Sequence, residues 1–259
     1  ITTTDPGPIK VCFSFLSGLQ DYGWTYSHNM ARLALEKEFA GAVVTTYTAY
    51  VPEVTFGANV NTGVSTMDTN TKACYDAHKK FADDGCHLII GTSFGYMDAM
   101  LNLSLTYPST TKWVHVSGYK TSPTLSTGFA RMYQTRYLAG IVAGGQMSKE
   151  TAPTCIAYVA AFSYIAEVVR QINAFTFGCR KAYSSCEVKV LFINTWHDDW
   201  IEQNAAHYAW DTMGCKYFTH HSDSLIPQRV YQQKGGKGIG FNVDVRANIG
   251  DSCLVSAMY

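Results

Sequence analysis

The residues best equipped to hold a small molecule recur as rings and acids in short loops. Residues 17–28 carry Asp21 and Trp24, and TSFGYMD (92–98) carries Phe94, Tyr96, Met97 and Asp98. Tyr119 lies in GYKTSPT (118–124), Trp196 in NTWHDDW (194–200), Asp223 in HHSDS (220–224), and Asn242 with Asp244 in NVDVR (242–246). A flat ring offers a stacking face worth about 1–3 kcal/mol per nucleobase. An ionised carboxylate accepts hydrogen bonds at several positions and donates none. A plain connection needs only turn residues such as glycine or asparagine. Rings interleaved with acceptors suit a ligand with a flat face and several N–H or O–H donors. Structural uses compete with this reading. Asp21, Asp98 and Asp223 could each cap a following helix, and Trp24 and Trp196 could pack against the helices beside them.

These loops share a place in the pattern of the chain. Strand-like runs alternate with helical ones: IKVCFSFL (9–16), VVTTYTAY (43–50), HLIIG, KWVHVSG, TCIAYVAAF, EVKVLFIN, KYFTHH, GIGFNV and SCLVSAM read as strands. Between them, segments such as TKACYDAHKKFADDG and AEVVRQINAFTFGC place apolar residues at helical spacing. The first of these ends at Gly85, a C-terminal stop signal, and the helix from residue 98 stops at Pro108. Such alternation predicts α/β architecture with parallel sheets covered by helices. Two series, joined near residues 121–135, predict two similar lobes. Ligands of open α/β sheets bind beyond the carboxyl ends of strands, and nearly every loop in that position carries a ring, an acid or both.

Composition narrows the function. The 259 residues are enough for two ordinary domains. They include 20 Lys and Arg against 20 Asp and Glu, so the basic footprint of a nucleic-acid binder is absent. No apolar run approaches a membrane span of ~20 residues, and the polar start ITTTDPGP implies that any leader is removed or not included. The motifs of common hydrolases and NTPases, G-x-S-x-G, HExxH and the P-loop, do not occur. Adjacent His220 and His221 on a strand point to opposite faces, so no metal site is expected.

Among 8 cysteines no CxxC pair occurs, which leaves zinc ribbons and thioredoxin motifs unsupported. Cys12, Cys155 and Cys253 sit in apolar strand runs and read as buried free thiols. Cys179 and Cys186 flank a polar turn and are the candidate disulfide. Asn102-Leu103-Ser104 forms a glycosylation sequon.

DYGWTYSHNMARLALEKEF, TSFGYMDAM, SGYKTSPTLSTGFARMYQTRYLAGIVAG, IAYVAAF, AEVVRQINAFTFG, NTWHDD and HHSDS together resemble the basic membrane protein family. Its members are substrate-binding proteins of the purine nucleoside receptor type. The similarity runs from about residue 9 to the end. It implies a type I periplasmic-binding-protein fold, with two Rossmann-like lobes and a hinged ligand cleft. The lobes are expected at 1–125 and 126–243, with the hinge near 121–129 and with 244–259 crossing back toward the first lobe. The family usually runs on beyond CLVSAMY, so further C-terminal segments are expected to be absent.

The implied function is non-catalytic binding of a purine nucleoside or base (adenosine, guanosine, inosine or adenine) for uptake through an ABC transporter or for sensing. No cofactor is implied, and the location is extracytoplasmic, secreted or anchored at the cell surface. The resemblance assigns base stacking to Trp196 and a ligand carboxylate to Asp98. Two alternatives share the same loops: a hydrolase splitting nucleosides, and a receptor ectodomain that signals through the cleft.

Overall fold

A computed structural model describes residues 7–54, 57–58, 60, 67–107, 110–152 and 154–258. The polar start at 1–6 and the helix stop at Pro108 lie outside the described residues. The chain divides into two compact units, one of Ile1–Leu19 with His28–Phe129, the other of Gln20–Ser27 with Ala130–Tyr259.

The first unit holds strands β1 (Ile9–Ser14), β2 (Val43–Thr48), β3 (Leu88–Gly91), β4 (Lys112–Val116) and β5 (Leu125–Gly128) in the order β2-β1-β3-β4-β5, all parallel. Helices α2 (Thr69–Asp83) and α3 (Met97–Thr106) belong to it, and α1 (Trp24–Glu38) begins in the 20–27 segment of the second unit. Helix α2 starts where Asp68 accepts the amides of Asn70 and Thr71, a side-chain N-cap. Just beyond its C-terminus Gly85 takes φ +76°, as the sequence predicts.

The second unit holds β6 (Ile156–Ala160), β7 (Val188–Phe192), β8 (Tyr217–His221), β9 (Lys237–Asn242) and β10 (Cys253–Met258). Its sheet runs β10-β9-β8-β6-β7, which from the other end repeats the order of the first sheet. Every residue of β6 and β8 is buried, as central strands covered on both faces must be. Helices α4 (Met132–Met147) and α5 (Ala166–Ala182) pack with their backbones close together. A Cβ at Gly140, Gly144 or Gly178 would fall on the carbonyl oxygen of Phe175, Cys179 or Tyr137. Helices α6 (Asp199–Asp211), α7 (Ile226–Gln233) and α8 (Arg246–Ile249) complete the unit. No described helix is long and apolar enough to cross a membrane.

The units divide after Phe129, the last residue of the stretch 121–129 read as the hinge, and residues 125–128 within it form β5, an edge strand paired with β4. Two expectations change. Residues 244–259, read as a return to the first lobe, instead supply α8 and β10, and β10 pairs in parallel with β9. Cys12 and Cys155 are not free thiols: Cys12 bonds Cys86 and Cys155 bonds Cys215. Sheet order explains both pairs. Strands β1 and β3 are neighbours, and Cys86 lies two residues before β3; β6 and β8 are neighbours, with Cys155 one residue before β6 and Cys215 two before β8. Cys253 is free and buried, and Cys179 bonds Cys186. The sequon lies within α3, where the Asn102 amide oxygen accepts from the Tyr75 hydroxyl and Ser104 is buried.

Candidate functional site

In a doubly wound sheet of this order, the ligand crevice opens where chain connections diverge to opposite sides. For the second unit that point lies between β6 and β8. Phe162 follows β6, His221 ends β8, Asp223 follows it, and Trp196 follows the neighbouring β7. Backbone conformation picks out the same ends of the strands. The non-glycine residues with left-handed φ among the described residues are Tyr22, Tyr50, Ser117, Asn194 and Asn242. Tyr50, Ser117 and Asn194 lie one or two residues beyond β2, β4 and β7, and Asn242 is the last residue of β9. Left-handed backbone costs of order 1 kcal/mol or more for such residues and collects where function constrains geometry.

Trp196, Asp223 and Asn242 come together. The Asp223 amide donates to the Trp196 carbonyl at 2.9 Å, and the Asn242 side-chain amide donates to Asp223 Oδ1 at 3.3 Å. The Trp196 ring is half-buried, edge-on to Phe162 at 5.1 Å and 6.0 Å from the His221 ring. Asp223 does not cap the next helix: α7 starts at Ile226, whose amide donates to Ser224 Oγ. Gly23, from the first strand-end loop, packs on the Asp223 backbone, where a Cβ would clash.

His221, the last residue of β8, and Glu167, in the first turn of α5, join this group, although by sequence His221 is considered only as a metal ligand. His221 Nε2 stands 3.1 Å from Glu167 Oε2. Glu167 also accepts from Gln171, whose other amide atom accepts from Arg136 Nε at 3.1 Å. Since a carboxylate only accepts, the His221 Nε2 carries a hydrogen toward Glu167. Nδ1 is buried with no protein partner, and so is Asn242 Oδ1. His221, Asn242, Asp223 and the Trp196 ring thus cluster at this end of the sheet as a polar, aromatic wall. Burial drives the neighbouring His220 down to about 3, and the Arg136 charge pushes in the same direction, so His220 is neutral.

Other predicted residues take different places. Asp21 accepts the amides of Gly23, Thr25 and Tyr26 at 2.8–3.0 Å, which makes it the cap of α1. Trp24 is the half-buried first residue of that helix. Asp244 is exposed and accepts the Arg246 amide at 3.0 Å, closing a local turn.

In the first unit, Phe94, Met97, Asp98 and Tyr119 gather at the carboxyl ends of β3 and β4. The Phe94 and Tyr119 rings are 6.5 Å apart, Met97 Sδ receives the Tyr119 amide at 3.5 Å, and Asp98 pairs with Lys120. Tyr96 does not join them: it is fully buried in the core, and its hydroxyl donates to the Val51 carbonyl at 2.7 Å. The turn is held by Glu53, whose Oε1 accepts from Ser93 Oγ at 2.6 Å and from the Gly95 amide at 2.8 Å.

The family model described as ABC transporter substrate-binding protein, PnrA-like, matches residues 9–248. The chain belongs to this family. A Brucella abortus purine-binding protein is 33% identical over 232 residues, covering 90% of this chain and 59% of that protein. A Haloferax volcanii protein with the provisional name ABC transporter glucose-binding protein is 29% identical over 265 residues, covering 100% of this chain and 61% of its own length. The chain therefore spans about three fifths of each of these relatives. Among solved structures, an ABC transporter solute-binding protein of Aeropyrum pernix K1 has a TM-score of 0.74 at 13% identity, covering 92% of this chain and 64% of that one. A transcriptional activator of the comK gene from Bacillus halodurans has a TM-score of 0.70 at 16% identity, with coverage of 95% and 76%. These likenesses, with two five-stranded parallel α/β units, define the fold as that of periplasmic solute-binding proteins. The PnrA-like chain thus carries its strand-end wall on a fold shared by binders of varied solutes.

Proposed function

We propose that the chain binds a purine base or nucleoside without chemical turnover, as the extracytoplasmic solute-binding part of an ABC uptake system. The observation that carries this reading is the second unit's wall. Trp196 supplies the stacking face, and Asp223, Asn242 and His221 supply polar groups, the Asp223 carboxylate an acceptor. Ring N–H groups, exocyclic amines and ribose hydroxyls are the donors such a wall takes. Phe94, Met97, Asp98 and Tyr119 are proposed as a second ligand-facing group on the first unit. Three disulfides among the described residues suit an oxidising, extracytoplasmic compartment. The Brucella relative's name agrees with the purine reading.

A hexose is the second reading, favoured by the Haloferax relative's name, since sugars also lie on indole rings and offer hydroxyl donors. A turnover assay separates binding from hydrolysis: incubation with inosine or adenosine should release no free base or ribose.

Trp196→Ala should weaken binding of the purine by about 5- to 150-fold, the equivalent of about 1–3 kcal/mol. Calorimetry on the folded variant measures it, and an unchanged dissociation constant would remove Trp196 from the site.

A further inference from the structure

We propose that Glu202, a buried residue on α6, is a positioning residue that locks the Trp196 loop and the Asp223 loop into one arrangement. The proposal rests on the purine-site reading for its consequence, although the lock itself exists without ligand. Glu202 is fully buried. Its Oε1 accepts the Asp198 amide at 3.1 Å, two residues beyond Trp196. Its Oε2 accepts Ser222 Oγ at 2.6 Å and the Ser224 amide at 3.2 Å, one residue on either side of Asp223. One carboxylate thus fastens two loops that follow different strands, and the Asp223-to-Trp196 backbone bond lies alongside.

Helix α6 has its own cap, since Asp198 accepts the Ile201 amide at 2.9 Å. Glu202 therefore does more than start its helix. The two amides only donate, whereas the Ser222 hydroxyl can also accept, so a proton on Oε2 would turn to Ser222 Oγ and weaken the bonds that fasten Ser222 and Ser224. The titratable groups around it are Asp198 and Asp199 at the start of α6, and His220 and Asp223 on and after β8. Burial raises the Glu202 carboxyl to about 7, and Asp199 adds to the rise; the bonds from Ser222, Asp198 and Ser224 oppose it.

The sign follows. Above pH ~7 both oxygens accept and the loops are locked. As pH falls through that value the bonds to the carboxylate lose their charge assistance, and affinity for a neutral ligand should fall. In stability the same group works the other way. Its raised folded value gives stability that is present below ~4.5 and lost as pH rises to about 7. Affinity and stability should therefore move in opposite directions, which a purely structural role would not produce.

The test compares wild type with Glu202→Gln, which keeps the shape and turns one acceptor into a donor. Amide hydrogen exchange at Asp198 and Ser224 is read without ligand, and adenosine affinity is read at pH 6 and 8. Faster exchange in the variant at either amide, with affinity reduced about tenfold at pH 8 and little pH dependence left, supports the lock. Equal exchange rates overturn it, whatever happens to stability. Faster exchange with unchanged adenosine affinity overturns the positioning role. If wild type bound no purine at either pH, the functional reading would fail, and exchange alone would still decide whether Glu202 fastens the loops.

Discussion

Arg136→Ala should lower the stability of the second unit by about 3–5 kcal/mol. Arg136 is fully buried on α4. Its guanidinium donates to Gln171 Oε1 at 3.1 Å, to Thr219 Oγ1 at 2.9 Å and to the His220 carbonyl. It also lies 3.9 Å over the Phe241 ring and 5.3 Å from that of Tyr158. Truncation strands three buried acceptors, at about 1–3 kcal/mol each before relaxation, and leaves a cavity between α4 and the sheet. Part of this loss is offset because a buried charge is removed. Arg136→Met should therefore cost less than Arg136→Ala, since it fills the space without charge. Urea unfolding followed by tryptophan fluorescence measures both. A loss under about 1 kcal/mol for the alanine variant would show that the network does not hold the unit together.

The second large effect lies in the first unit. Replacing Cys12 and Cys86 together by alanine should cost about 4 kcal/mol, because the bond closes a separation of 74 residues in the unfolded chain. The same replacement of Cys179 and Cys186, separated by 7 residues, should cost about 2 kcal/mol. Denaturant midpoints of the two variants, read against the intact protein, give the comparison. Equal losses would contradict the loop-closure origin of the difference.

Much of the scaffold is legible in the sequence because it depends on local pattern. The runs at Ile156–Ala160 and Tyr217–His221 are strands, and Gly85 marks the end of α2 as local capping chemistry requires. What depends on sheet order is not legible locally. Cys12 and Cys155 look like apolar strand residues, and only the neighbouring of β1 with β3 and of β6 with β8 gives them partners. Residues 125–128 are too short and too polar to stand out from the turn before them, yet β4 offers them an edge.

The site divides in the same way. Trp196, Asp223 and Asn242 are found by the strand-end rule and come together in one wall. Asp21 and Asp244 satisfy the same rule but serve the backbone, since an aspartate in a tight loop caps whatever amides it meets first. Tyr96 follows Gly95 into a turn that directs its ring to the core. Glu202 escapes notice because it lies within a helix, and His221 stands out only as half of a histidine pair unsuited to a metal. Their roles come from what the neighbouring loops bring to them.

The most direct test of the account is titration calorimetry of the chain with adenine, adenosine, adenosine monophosphate and glucose at one ionic strength. The account expects saturable binding of the base or the nucleoside, weaker binding of the monophosphate, whose charge would meet the Asp223 carboxylate, and no heat from glucose. Saturable binding of glucose with none of the purines would contradict it.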